Sequence, residues 1–140
     1  MTEEKRPTLE EIRARIGEKR EEVVEVDKSM IRAFCQCIED PNPRWQDVAP
    51  PGFLTTVKMS GGAVAIDIPE PYKRKVAAGG EWEFYKPIKP GDIITTSHEF
   101  SDIQDKSSEK GKRALMIFKS THKNQKGEVV AVTTGTTMSY

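Results

Sequence analysis

The sequence has no excess of either charge, because 22 Lys and Arg residues balance 22 Asp and Glu residues over 140 positions. Binding to nucleic acid or to an anionic membrane requires a basic surface, so we expect neither partner. No apolar run approaches the roughly 18 residues of a membrane-spanning helix. The charged N-terminus, Met1 to Arg6, has no apolar segment behind it and does not resemble a signal peptide. These absences predict a cytoplasmic protein.

Cysteine and histidine are also scarce, since each occurs only twice. Cys35 and Cys37 lie two positions apart on a predicted helix, face different directions and cannot form a disulfide with each other. A catalytic cysteine would need a histidine partner, and His98 and His122 lie in strand-like segments far along the chain. We therefore expect reduced cysteines and no thiol nucleophile.

Cofactor signatures and internal repeats are missing as well. The sequence contains no Walker loop, no Rossmann glycine pattern and no metal-ligand spacing, so we expect no cofactor and no metal. The length suits one domain with its own core. We expect residues 1–140 to form that domain, with residues 1–22 as an N-terminal helix and linker.

Helical patterns occupy the first third of the chain. Thr8 and Glu11 have the spacing of a capping box, so Thr8 to Ile16 predicts a short helix capped by Thr8 and ended by Gly17. A charged linker from Lys19 to Glu22 follows. Val23 to Val26 predicts a short strand, and Asp27 is placed to cap the next helix. The apolar residues of that helix predict one buried face: Met30, Ile31, Phe34, Cys35 and Ile38.

The segment that follows this helix is the candidate site. Pro41 and Pro43 should stop the helix and stiffen the backbone around Asp40 and Asn42. Polar side chains held at the end of an element are suited to binding a substrate. The same residues are common in surface turns, where Asp40 would cap the helix or pair with Arg44 and Asn42 would bond its own backbone. These residues alone leave both interpretations open.

The later segments predict one more helix and then strands. Pro50, Pro51 and Gly52 lead into an expected helix from Phe53 to Ser60, which Gly61 and Gly62 would end. Residues 63–78 predict an irregular segment whose basic triplet, residues 73–75, could meet phosphate but is more often solvated. From Gly80 onward, apolar Trp82 and Phe84 alternate with polar residues and predict a strand. Three long strands are expected after it: Ile93–Ile103, Arg113–Lys123 and Glu128–Tyr140. Helices early and long antiparallel strands late predict an α+β fold.

Three positions of the candidate site match a family signature. Asp40, Asn42 and Pro43 fit the pattern Asp-x-Asn-Pro-aliphatic-His of (R)-specific enoyl-CoA hydratases and MaoC-like dehydratases. Arg44 replaces the aliphatic residue, and Trp45 stands in place of the histidine. Residues 49–54 and 79–85 resemble the N-terminal, FAS1-like dehydratase domain of that family, and the resemblance extends from about residue 10 to residue 140.

The resemblance implies a hot-dog fold, in which a curved antiparallel sheet wraps a long central helix. Domains of this kind pair edge to edge and bind an acyl-CoA thioester between them, so we expect a homo- or heterodimer with another hot-dog subunit. In the resembling enzymes the aspartate and histidine of the signature move protons around one water. The site residues carried over are Asp40 as catalytic carboxylate and Asn42, Trp45, Pro51, Gly52 and Phe53 as substrate-binding residues.

The missing histidine shapes the functional hypothesis, because tryptophan cannot exchange a proton in this pH range. We expect the acyl-binding half of a two-part (R)-specific enoyl-CoA hydratase or 3-hydroxyacyl-CoA dehydratase, completed by a partner. One alternative is an acyl-CoA thioesterase that uses Asp40 as base, and another is a non-catalytic acyl-CoA-binding protein. A shortened loop before the double proline hints at a bulky acyl group.

Overall fold

A computed structural model of the chain describes residues 5–55 and 66–140. Two α-helices, α1 and α2, and five strands, β1 to β5, account for most of the regular structure. In chain order these elements are α1 (Leu9–Arg13), β1 (Lys19–Glu25), α2 (Lys28–Cys37), β2 (Lys75–Phe84), β3 (Ile93–Asp105), β4 (Ala114–Lys123) and β5 (Val129–Ser139). Two 3-10 helices, Pro43–Gln46 and Pro51–Thr55, follow α2.

The five strands form one sheet in the order β1–β3–β4–β5–β2, and every neighbouring pair is antiparallel. In the described part of the chain, β1 and β2 are therefore the two edges. β1 and β2 are consecutive strands in the sequence but lie at opposite edges of the sheet, and α2 lies between them in the chain. This arrangement confirms the predicted α+β class, and strands β3, β4 and β5 start and end within two residues of their predicted limits.

Local capping chemistry fixes where the two helices begin. The Thr8 hydroxyl accepts a hydrogen bond from the Glu11 amide, and the Asp27 carboxylate accepts one from the Met30 amide. Both caps were predicted from the sequence. The chain leaves α2 through Glu39, whose φ of 54° lies in the left-handed region. The Asp40 amide then donates to the Cys35 carbonyl at 3.0 Å, which fixes Asp40 close to the end of the helix.

The core is divided into two apolar clusters. The first joins α2 to one end of the sheet through its buried residues Val26, Ile31, Ala49, Phe53, Leu54, Ile88, Ile94, Val130 and Ala131. The second joins α1 to the other end through Ile12, Ile66, Ile68, Phe100, Ile103, Ala114, Met116 and Phe118. Met30, Phe34 and Cys35 pack on the first cluster as predicted. Ile38 does not, because it caps the end of α2 and its side chain is 48% exposed.

The two edge strands start earlier than the sequence suggested. Residues Lys19 to Glu22 were expected to be a linker but form the first half of β1, where they pair with β3. β2 begins at Lys75 instead of Gly80 and carries a bulge between Ala77 and Gly79. An edge strand leaves its side chains exposed, so it tolerates charged and small residues without the apolar alternation that marks a buried strand.

The segment after the double proline forms a 3-10 helix, Pro51–Thr55, where an α-helix from Phe53 to Ser60 was expected. The remainder of that predicted helix and the glycine pair at 61–62 lie outside the described residues. Residues 66–74 contain neither helix nor strand, as predicted for the middle of the irregular segment.

Candidate functional site

A cavity of about 580 Å³ lies along α2 and includes the signature residues in its lining. Its residues from α2 and the turn after it are Lys28, Ile31, Arg32, Cys35, Gln36, Glu39 and Asp40. The other lining residues are Pro41, Asn42, Pro43, Trp45, Gln46 and Pro90. The helix end and the following 3-10 helix thus bring the candidate carboxylate and the candidate tryptophan to one opening.

The Asp40 carboxylate is held by two donors. Its Oδ2 accepts a hydrogen bond from Trp45 Nε1 at 2.7 Å, and its Oδ1 accepts one from the Asn42 amide at 3.0 Å. Arg44 does not pair with Asp40; its guanidinium lies 5.6 Å from the Trp45 ring centroid in a cation–π contact. The residue at the histidine position of the signature therefore contacts the aspartate through an N–H group that cannot act as a base.

The side-chain oxygen of Asn42 stabilises the turn after α2. Its Oδ1 accepts a hydrogen bond from the Arg44 amide at 3.0 Å and so caps the 3-10 helix that carries Trp45. This is the local bond expected of an asparagine in a turn. Asn42 also lines the cavity, so the turn role and a binding role are compatible.

The other three residues proposed to bind substrate lie elsewhere. Pro51, Gly52 and Phe53 are not among the residues lining this cavity. Phe53 is 1% exposed in the first apolar cluster, and its ring meets that of Phe34 edge to face at a centroid distance of 6.2 Å. A Cβ on Gly52 would approach the Phe34 ring to 3.1 Å, so this glycine permits the close packing. Gly52 and Phe53 thus pack against Phe34 of α2.

Both histidines are buried in the sheet, in a buried polar row formed by Thr96, His98, Ser120, His122 and Thr133. Nδ1 of His98 lies 2.7 Å from the Ser120 hydroxyl, and its Nε2 lies 3.4 Å from Glu22 Oε2. Nδ1 of His122 lies 2.8 Å from the Thr96 hydroxyl, and its Nε2 lies 3.2 Å from that of Thr133. Among the described contacts, neither imidazole reaches Asp40.

Burial, and next the nearby His98, lower the pKa of His122 from 6.5 to about 4. His122 is therefore neutral near pH 7 and each ring nitrogen has a hydroxyl partner. The row could not be predicted from the sequence because it depends on which residues of β3, β4 and β5 lie opposite one another. The alternation of polar residues along β3 was the one signal available.

Comparison with known proteins identifies the family. The chain matches the model of the FAS1-like, dehydratase domain region over residues 14–133. The chain belongs to this FAS1-like dehydratase family. A UPF0336 protein of Thermobifida fusca is 31% identical over 98 residues, which cover 59% of this chain and 64% of the relative. A probable enoyl-CoA hydratase alpha subunit of Thermomonospora curvata is 28% identical over 145 residues, covering 83% of this chain and 45% of the relative.

The chain thus spans about half to two thirds of the length of these curated relatives. Among solved structures, the ChsH1–ChsH2 complex of Mycobacterium tuberculosis matches with a TM-score of 0.73 at 19% identity, covering 94% of this chain and 88% of that chain. At that identity the likeness concerns the fold, and it confirms the hot-dog fold predicted from the resemblance.

The remaining reactive groups of this FAS1-like dehydratase chain are weak candidates for chemistry. Burial and the nearby Asp40 raise the pKa of the Cys35 thiol, which opposes formation of a thiolate. Both cysteines are free, as predicted. In residues 5–55 and 66–140 no group of three or more His, Cys, Asp and Glu side chains could hold a metal. No helix in the same ranges is long and apolar enough to cross a bilayer.

The basic triplet lies apart from the cavity. The Lys75 ammonium pairs with Glu70 at 2.8 Å, and the Arg74 backbone bonds that of Tyr140 in both directions. None of the three residues lines the cavity along α2. Arg74 thus ties the residue before β2 to the residue after β5.

Proposed function

We propose that this chain is the acyl-binding half of an (R)-specific enoyl-CoA hydratase or 3-hydroxyacyl-CoA dehydratase. A partner hot-dog subunit supplies the complete aspartate and histidine pair. The observation that carries the proposal is the 2.7 Å hydrogen bond from Trp45 Nε1 to Asp40, at the place where the signature has its histidine.

The chemistry of hydration explains why a partner is needed. Adding water to a 2-enoyl thioester requires a base for the water, an acid for the α-carbon and a donor for the thioester oxygen. Asp40 is a single carboxylate whose two oxygens already accept N–H groups. The indole cannot relay a proton, and both imidazoles are fully buried in the sheet. This site can hold and orient a substrate but lacks a pair of groups that exchange protons.

The cavity supports the binding half of the proposal. Its volume of about 580 Å³ lies within the usual range of roughly 300–1,000 Å³ for small-molecule sites. Asn42 and Trp45 would contact the acyl thioester directly. Gly52 and Phe53 would act indirectly, because they pack against Phe34 of α2, the helix that lines the cavity, and Pro51 precedes them in the same 3-10 helix.

The edge strand β2, which pairs on one side only within the described part of the chain, supports a hot-dog partner. Every residue of β2 is exposed, and its aromatic residues Trp82 and Phe84 are 41% and 46% exposed. An unpaired edge with large apolar side chains is suited to pairing with another strand. The relatives agree with this, since one is an alpha subunit by name and a structural neighbour is a two-component complex.

The test is to assay the chain alone and with its partner. We expect no hydration of crotonyl-CoA or longer enoyl-CoAs by the purified chain. Hydration should appear on adding a co-purifying hot-dog subunit with a complete signature. The signature aspartate of that subunit should be essential, whereas Asp40→Asn in this chain should leave most of the turnover. Robust hydration by the lone chain would contradict the proposal.

The same assays separate the alternatives. Thiol release by the lone chain that is lost in Asp40→Asn would identify a thioesterase. Binding without turnover under any pairing would identify a non-catalytic acyl-CoA-binding protein.

A substitution at Trp45 tests whether the missing imidazole is what prevents hydration by this chain alone. In Trp45→His an imidazole stands beside Asp40, so the chain should gain hydration activity that Trp45→Phe lacks. Equal rates in the two variants would show that the site lacks more than an imidazole.

A further inference from the structure

Two cations line the cavity on one side of α2. Lys28 and Arg32 are four residues apart, so they lie one turn apart on the same face of the helix. Gln36 continues this row by one more turn and also lines the cavity. The row therefore forms one polar wall that leads from the start of α2 towards Asp40.

Neither cation is neutralised within the described part of the chain. No hydrogen bond or ion pair joins Lys28 or Arg32 to an acidic side chain there. The neighbouring acid, Asp27, accepts hydrogen bonds from the Met30 amide and the Ser29 hydroxyl through Oδ1, and in the described part of the chain it forms no ion pair with Lys28 or Arg32. The two acids that line the cavity, Glu39 and Asp40, come after the other end of the helix.

Charge is therefore separated along the length of the cavity. A rise of 1.5 Å per residue places Arg32 about 6 Å and Lys28 about 12 Å before Gln36 in the last turn. Ile31, which is 2% exposed, and the partly buried Cys35 contribute an apolar surface between the two ends. An elongated ligand with an anionic group at one end and a polar neutral group at the other complements this arrangement.

We infer that Lys28 and Arg32 form an anion-binding subsite for the end of the thioester that lies away from Asp40. The inference rests on the proposed function, because it assigns the thioester itself to the Asp40 end. The anion is either the phosphate of a pantetheine carrier or a carboxylate at the far end of the acyl chain. An ammonium and a guanidinium side by side bind both through charge-assisted hydrogen bonds.

The experiment compares three ligands that share an eight-carbon acyl chain, with binding to the full chain measured by calorimetry. Octanoyl-N-acetylcysteamine is neutral, octanoyl-CoA adds the carrier phosphates, and octanedioyl-N-acetylcysteamine adds a terminal carboxylate. We expect one anionic ligand to bind about tenfold more tightly than the neutral one. The double variant Lys28→Gln/Arg32→Gln should remove this preference and leave the affinity for the neutral ligand unchanged.

A matched control removes the same charge elsewhere. Lys119→Gln/Lys123→Gln takes two exposed cations from β4, outside the cavity lining, and should keep the preference. A preference for octanoyl-CoA assigns the subsite to the carrier phosphate, and a preference for the octanedioyl ligand assigns it to the acyl carboxylate. Equal affinities for all three ligands, or a preference that survives Lys28→Gln/Arg32→Gln, would overturn the inference while leaving the proposed function intact. Failure of the chain to bind even the neutral thioester would instead contradict the proposed function, and the subsite with it.

Discussion

The cavity segment Asp40–Trp45 and the buried polar row differ in which half of an acid–base pair they contain. The segment holds a carboxylate at the mouth of a cavity, with an indole where an imidazole would complete the pair. The row holds two imidazoles, each 0% exposed: His122 lies between the Thr96 and Thr133 hydroxyls, and His98 lies between the Ser120 hydroxyl and the Glu22 carboxylate. The chain thus contains both kinds of group, but the fold keeps them apart. The presence of aspartate and histidine in the sequence is compatible with acid–base catalysis by a pair of these residues. The structure does not bring Asp40 together with either histidine.

The separation follows from the position of each group in the fold. His98 and His122 lie on the inward face of two central strands, β3 and β4, which are covered on both edges by other strands. Asp40 lies beyond the C-terminus of α2, on the segment that borders the cavity. Bringing an imidazole to Asp40 would require a break in the sheet, so the segment can acquire one only by substitution or from another subunit.

The largest expected difference between the two regions is in acid stability. The unfolded His122 binds a proton below pH 6.5, whereas the folded residue resists protonation until about pH 4. Protons therefore favour the unfolded state between these values, and stability is lost as the pH falls. The free energy of unfolding of the wild type should fall by about 3 kcal/mol more than that of His122→Gln between pH 7 and pH 4. Urea denaturation at a series of pH values measures this difference.

The control is the same pair of proteins well below pH 4, where His122 is protonated in both the folded and the unfolded state and the two stability curves should run parallel. If the wild type and His122→Gln lose stability equally between pH 7 and pH 4, the imidazole is not held neutral by burial.

A smaller effect is expected at the hydrogen bond between Trp45 and Asp40. The bond has a charged acceptor but is only partly buried, so Trp45→Phe should cost about 1 kcal/mol of unfolding free energy. Asp40→Asn weakens the same contact. A double-mutant cycle on these two substitutions should therefore show a coupling of about 1 kcal/mol, whereas additive effects would exclude a direct contact.

The smallest effect is expected where the buried polar row meets solvent. Glu22 lies 3.4 Å from His98 at the edge of the sheet, and its side chain is 25% exposed. Glu22→Gln should cost only about 0.5 kcal/mol at pH 7. Glu21→Gln, the neighbouring substitution on β1, is the matched control and should have no measurable effect. A loss of several kcal/mol in Glu22→Gln would mean that the row depends on this carboxylate.

The features that the sequence predicted correctly depend on residues close together in the chain. Thr8 and Asp27 cap helices through bonds to amides three residues away, and the prolines after Asp40 end α2. The Trp45–Asp40 bond spans only five residues, yet it depends on the orientation of the indole, which no pattern of residue types specifies.

The features that the sequence left undetermined depend on distant residues. His98 faces Ser120 and His122 faces Thr96, so the buried polar row exists only in one register of β3 against β4. The starts of β1 and β2 were missed because edge strands bury one side at most, which weakens the alternation of apolar residues. Lys28 and Arg32 do have a sequence signal, which is their four-residue spacing on α2. That spacing indicates a binding surface only once the structure shows a cavity beside the helix.

Gly80, on the edge strand β2, determines the orientation of the Trp82 side chain. The six-membered ring of Trp82 lies so close to Gly80 that a Cβ there would approach it to 2.5 Å. Any other residue at position 80 would swing the indole away from its own strand. The orientation of this exposed ring therefore depends on the missing side chain at position 80, so under the proposed pairing of this edge a substitution there would change the surface offered to the partner strand.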